Sequence, residues 1–371
     1  MQTYGLYLHI PFCKSRCAYC DFVSCVGDAA QQSRYLDAVE REAALRADPS
    51  RVVDTMYWGG GTPSVLSEPR IVALADAIGR HFALRLREFT VETNPSDVRA
   101  SLLDAYRRIG VTRISLGVQS LDDTILREIG RRHTADQACE AIRMCVARGF
   151  DVSADLMLGL PGQTFADIER FVDTARRLGV GHVSAYQLKL ESGTPLAERV
   201  RAGATQVPDD DACADLYESA SRRLEASGYA CYEISNFAQA GKESLHNLKY
   251  WRCDPYIGIG AAAHGLIDDV RWCNPDDVWA YVDALERGED PRRVEQTLSK
   301  EDRMQERVML GLRTAQGVDL ERFRRDFDCD FRTRYAAALD KMRRYLVADE
   351  TRVAIRAPYR NVMNAIVLEF L

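Results

Sequence analysis

From residue 4 to about residue 190, short runs rich in β-branched and aromatic residues alternate with longer amphipathic stretches. The short runs predict strands at Tyr4–Ile10, Thr55–Trp58, Phe89–Thr93, Thr112–Gln119, Phe150–Leu156 and Gly181–Leu188. Between them, apolar positions recur at helical spacing over Gln31–Ala47, Glu68–Ala83, Val98–Ile109, Ala135–Arg148 and Phe165–Leu178. Several strand runs are short enough to be buried on both faces. Strand followed by helix, repeated, implies parallel strands with helical crossovers. Six units fall short of a complete eight-stranded barrel. A partial, open barrel and an open doubly wound sheet both fit this pattern.

The pattern then changes twice. Glu191–Pro208 is turn-rich and reads as a hinge, followed by a helix over Asp209–Ser227 and a loop-rich, aromatic-dense region from Tyr229 to Trp279. The last stretch predicts helices over Lys300–Thr314, Asp319–Phe327 and Arg332–Leu346, a hairpin near Val347–Arg356 and a closing helix. The expected division is thus a core over residues 1–205, a connecting region over 206–298 and a mainly helical, winged-helix-like domain over 299–371. A winged helix raises the question of DNA. Residues 300–371 carry 15 Lys/Arg against 12 Asp/Glu, which assures no strongly basic face, so a structural or lid role is the better expectation.

Composition narrows the class. Hydrophobic residues make up 46% and charged residues 28%, ordinary for a soluble globular chain. A net charge of −6 argues against a broad nucleic-acid footprint. The start, MQTYGLYLHIPFC, lacks the basic and apolar regions of a secretory signal, and no run approaches the roughly 18 apolar residues of a membrane span. The expected compartment is the cytoplasm, where thiols stay reduced. Eight of the eleven cysteines are scattered singly and read as small buried hydrophobes.

The other three form a cluster, Cys13-x3-Cys17-x2-Cys20, directly after the first strand. A structural zinc site needs four ligands, and no second C-x-x-C or H-x3-H supplies them, although Cys25 or His9 offers a lone fourth. The alternative is a [4Fe–4S] cluster with one iron left open to a cofactor.

Further motifs fall where strands end, the usual place for ligand-binding residues in α/β folds. They are Gly59-Gly60-Gly61-Thr62-Pro63-Ser64, Glu92-Thr93-Asn94-Pro95, Gly117-Val118-Gln119-Ser120, and Asp155 before Gly159-Leu160-Pro161-Gly162-Gln163. Arg131 follows the fourth strand. The segments LYLHIPFCKSRCAYCDF, YWGGGTPS, VETNP, SLGVQS, DLMLGLPGQT and ERVMLGLRTAQGV together resemble the oxygen-independent coproporphyrinogen oxidase-like branch of radical S-adenosylmethionine proteins. The resemblance runs from about residue 4 to the C-terminus. It implies a partial (β/α)6 barrel, a [4Fe–4S] cluster on Cys13, Cys17 and Cys20, and S-adenosylmethionine on the open iron, cleaved reductively. By motif, Tyr7, Tyr19, Gly60, Gly61, Thr62, Glu92, Gln119, Arg131 and Asp155 would line the cofactor site.

Two departures from the oxidase pattern stand out. A further cysteine that follows the triad in the oxidase is Phe22 here, and the oxidase's extension before its cysteines is not matched. A third feature points elsewhere: His246-Asn247-Leu248-Lys249-Tyr250-Trp251 resembles the H-N-x-x-Y-W element of the heme chaperone subfamily. The resemblance implies heme as a bound group with His246 as an axial ligand, and hemoprotein acceptors such as respiratory enzymes. An electron donor and transient contact with membrane proteins follow, and nucleic acid does not. His264 is a weaker candidate ligand. The readings that remain are a heme chaperone, a porphyrin-modifying enzyme that decarboxylates propionates or opens heme, and a non-catalytic zinc-stabilised scaffold.

Overall fold

A computed structural model describes residues 3–371. Six strands, β1 (Thr3–Ile10), β2 (Val52–Gly60), β3 (Leu84–Thr93), β4 (Arg113–Gln119), β5 (Asp151–Leu158) and β6 (His182–Gln187), lie side by side in chain order. Every neighbouring pair among them is parallel. A doubly wound sheet would reverse its order at a switch point; this one never does. The sheet is the partial, open (β/α)6 barrel of the two alternatives. Three crossover helices begin on capping boxes, pairing Asp28 with Gln31, Thr134 with Gln137 and Thr164 with Asp167, so two backbone donors at each start are satisfied reciprocally.

The strands alternate with period two, and their faces differ in chemistry. Leu6, Leu8, Trp58, Val91, Leu116, Leu156 and Ala185 join one core cluster with the helices. The intervening positions are polar: Tyr7 is in register with Tyr57, Glu92 with Ser115, and Asp155 with Ser184. This face is half-buried to buried, a polar interior rather than a second oily layer.

The connecting region over 206–298, read as loop-rich from Tyr229 to Trp279, supplies strands to both edges of the same sheet. On one side β8 (Asn236–Ala238) runs antiparallel to β6, and β7 (Ala230–Cys231) runs antiparallel to β8 at the edge. On the other, β9 (Tyr256–Ile259) pairs in parallel with β1, and β10 (His264–Ile267), β11 (Val270–Cys273) and β12 (Arg293–Thr297) extend it antiparallel. These strands have two to five residues each, too few to give a periodic signal.

The helix Leu245–Trp251 packs inside, under the amino-terminal halves of the strands. Glu88 accepts the N–H groups of Leu245 (3.0 Å) and His246 (2.9 Å), satisfying donors of its first turn. Glu88 is paired in turn with Arg113 at 3.1 Å, and Lys249 with Asp54 at 2.8 Å.

The C-terminal unit has its own apolar cluster around Phe323, Phe327 and Phe331. Its strands β13 (Val318–Asp319), β14 (Leu346–Ala348) and β15 (Arg352–Ile355) form a separate sheet with β15 central. With the helix Lys300–Gly311 before β13 and short helices between β13 and β14, the arrangement is winged-helix-like. The expected helix over Arg332–Leu346 is broken at Tyr335, and the closing helix shortens to Met363–Leu368. Among the described residues no helix is long and apolar enough to cross a membrane.

Candidate functional site

The carboxyl ends of the parallel strands surround a cavity of about 420 Å³, and Cys13, Cys17 and Cys20 lie together on its wall. The loop carrying them is clasped at several points. Cys13 N–H donates to the carbonyl of Cys25 (2.9 Å) and Cys25 N–H to that of Pro11 (2.8 Å). Lys14 pairs at 2.7 Å with Asp97, a buried carboxylate that also accepts from Ser64 (3.0 Å) and Arg132 (3.1 Å). Thr62 Oγ1 lies 3.3 Å from Cys13 Sγ, and Arg131 Nη1 donates to Cys17 Sγ at 3.3 Å. Among the described residues, the trio of metal-ligating atoms within 4.8 Å of one another is His264, Cys273 and Glu295.

Glu92 and Asp155 face the same cavity. Glu92 accepts from Tyr57 Oη at 2.8 Å and from Gly60 N–H at 3.1 Å, yet burial still pushes its carboxyl up. Burial, and then repulsion from Glu92, push Asp155 up to about 7. Two carboxyls held this way are short of positive charge. Gly60 has φ +101, and a Cβ there would run into the His9 ring; a Cβ on Gly61 would meet Pro11 C at 2.7 Å and Ile10 O at 2.8 Å. The glycines thus let the backbone and the cysteine loop pass in contact. Gln119 is held at φ 67, an uncommon conformation for a side chain of this size, with its Oε1 accepting from Tyr186 at 2.8 Å. Arg131 Nε is buried without a partner. A ligand offering a cation, hydroxyls and a carboxylate fits this donor set. S-adenosylmethionine offers all three, and the thiols beside it fit an iron–sulfur cluster.

Of the positions singled out by sequence, Tyr19, Gly60, Gly61, Thr62, Glu92, Gln119, Arg131 and Asp155 line this cavity with the three cysteines. Tyr7 does not. It lines an adjoining cavity of about 570 Å³, stacks against Tyr57 with centroids 6.1 Å apart and places its hydroxyl 3.1 Å from His9 Nδ1. His246 lines neither. It is buried at 1% exposure, with Nδ1 3.0 Å from Thr55 Oγ1 and Nε2 2.8 Å from Tyr250 Oη. Both ring nitrogens are engaged, so an iron bond at His246 requires Tyr250 to leave. Asn94, part of the motif at the end of β3, lines the first cavity as well, and sequence reasoning missed Tyr186 and Ser115 there. For Tyr186 the available signal was its position at the end of β6.

Comparison with known proteins gives the same outline. Residues 7–175 match the radical SAM superfamily, and residues 298–353 the HemN C-terminal domain. The heme chaperone HemW of Bacillus subtilis (strain 168) is 39% identical over 324 residues, 85% of each chain. This chain belongs to the HemW family. The mitochondrial radical S-adenosyl methionine domain-containing protein 1 of Bos taurus is 37% identical over 336 residues, 85% of this chain and 74% of that one. In fold, this HemW family member resembles the solved structure of coproporphyrinogen III oxidase from Escherichia coli. The TM-score is 0.85 at 22% identity, covering 100% of this chain and 90% of that one. Its radical SAM domain implies a [4Fe–4S] cluster and S-adenosylmethionine.

Proposed function

We propose that this chain is a cytoplasmic heme chaperone. It binds heme, carries a [4Fe–4S] cluster on Cys13, Cys17 and Cys20 with S-adenosylmethionine beside it, and passes the heme to hemoproteins such as respiratory enzymes. The observation that carries the reading is the adjoining pair of cavities, one lined by the cysteines and the buried carboxyls and the other by aromatic rings. It stands in a chain similar over most of its length to a heme chaperone.

In this reading Arg131 meets the cofactor's carboxylate, Gly60 and Gly61 give it room beside the cysteine loop, Glu92 and Asp155 meet its cationic and hydroxyl groups, and Gln119 and Tyr186 hold the far wall. When bound, the cluster and cofactor supply one-electron chemistry. An electron donor is required for it, and a transient contact with membrane-bound acceptors suits the delivery step.

The test uses the full chain, reconstituted anaerobically with iron and sulfide. Heme binding is read from the Soret band, and delivery from the return of the absorption of a heme-depleted respiratory cytochrome. Heme uptake and delivery without conversion of coproporphyrinogen III is the expected result. Conversion to protoporphyrinogen IX under the same conditions would make the chain a porphyrin-modifying enzyme instead.

A further inference from the structure

The second cavity is walled by Tyr7, Phe22, Tyr250 and Tyr256 and has His264 on its rim. At about 570 Å³ it falls within the range of roughly 300–1,000 Å³ usual for small-molecule sites. It shares Asp21, Phe22, Gly60 and Glu92 with the first cavity, so a molecule filling it would lie beside the cysteine loop. Phe22 is 65% exposed, a large apolar ring left in water at the mouth of both cavities. An aromatic-walled slot with an uncovered phenyl ring suits a flat apolar macrocycle.

We infer that an iron porphyrin docks in this second cavity, with its iron on Nε2 of His264 and its face against Phe22. The inference rests on the heme binding proposed above and adds the binding wall and the ligand. His264 opens β10 and faces Cys273 across the β10–β11 pair, while β12 brings Glu295 alongside. The Nδ1 of His264 lies 3.3 Å from Glu295 Oε2. With Glu295 beside Nδ1, Nε2 is the ring nitrogen left for the iron. The His264 side chain is 55% exposed, so that nitrogen is reachable. Cys273 is close as well, but it is buried and its sulfur accepts from Arg293 at 3.5 Å. His246, held on both nitrogens, contributes indirectly: it fixes Tyr250, which forms part of the wall.

The experiment is a hemin titration of the full chain with its cluster reconstituted, beside the variants His264→Ala, Glu295→Gln and His246→Gln. His264→Ala should shift the Soret band and weaken binding by about tenfold or more, and Glu295→Gln should weaken it by about tenfold. Adding free imidazole to His264→Ala should restore the parent spectrum. Iron and sulfide content should be the same in all four proteins. A His264→Ala variant that binds hemin with the parent's spectrum and affinity overturns the inference, as does a Soret shift confined to folded His246→Gln. Failure of the parent chain itself to bind hemin would instead remove the chaperone reading on which the inference stands.

Discussion

Nε2 of His246 lies 2.8 Å from the hydroxyl of Tyr250, one helical turn further along, while Nδ1 lies 3.0 Å from the hydroxyl of Thr55. Each hydroxyl can donate or accept, so either neutral tautomer is satisfied. Burial, then the nearby Lys249 cation, push the imidazole down to about 3. The unfolded ring takes a proton below about 6.5 and the folded ring does not until about 3, so its contribution to stability is lost as pH falls through that window. His246→Ala strands two hydroxyls away from water and should cost about 1–3 kcal/mol at neutral pH. Urea denaturation should show that difference narrowing at lower pH, with cluster iron unchanged.

Cluster assembly should depend on three cysteines and not on the fourth nearby. Cys13→Ala, Cys17→Ala and Cys20→Ala should each fall well short of the roughly four irons and four sulfides per chain that the reconstituted parent holds. Cys25 supports the loop through its backbone, donating to Pro11 and accepting from Cys13. Cys25→Ala keeps those bonds and should keep the iron. Iron loss in that variant alone would refute the three-ligand arrangement.

Affinity for S-adenosylmethionine should rise with pH through neutrality. Asp155 is held protonated to about 7 by burial and by Glu92, and only its ionised form attracts a cation. Calorimetric titration from about pH 6 to about pH 8 should show tightening in the parent and a flatter profile in Asp155→Asn. The stability effect has the opposite sign. The unfolded carboxyl ionises above 3.8 and the folded one near 7, so the ligand-free fold loses stability between those values. Asp155→Asn should therefore melt higher than the parent at about pH 8 and not at about pH 4.

Two glycine substitutions should act in opposite directions. A Cβ on Gly61 meets the backbone of Pro11 and Ile10, which cannot rotate away. Gly61→Ala should cost about 1–3 kcal/mol and lower the iron content, because the displaced backbone leads into Cys13. Gly79 lies within the helix Glu68–His81 with nothing within 4 Å of its Cβ position. Gly79→Ala should stabilise by about 0.5–1 kcal/mol with no effect on iron. Thermal melts and iron assays on the same samples test both.

The parallel core and most of the first cavity were legible because their signals are local. Each βα unit carries its own periodicity, and GGGTP, VETNP and the cysteine spacing place chemistry at strand ends. The edge strands were not legible. β9 draws its pairing from β1, some 250 residues away in sequence, and β10–β12 are too short to announce themselves. The surroundings of His246 were hidden for the same reason. Its i, i+4 relation to Tyr250 was visible in the sequence, but its position beneath the cofactor layer depends on Thr55 and Glu88, which belong to distant strands. His264 stood out only weakly, since Glu295 reaches it across two hairpin pairings.

The parallel seam between β1 and β9 also sets an order of events during synthesis. The cysteine loop is translated well before Tyr256–Ile259, and the strand that leads into it keeps one open edge until that segment has been made. Throughout that interval the three thiols hang from an incomplete support. Iron–sulfur loading should accordingly follow the translation of β9, and products truncated before it should accumulate as metal-free, aggregation-prone species.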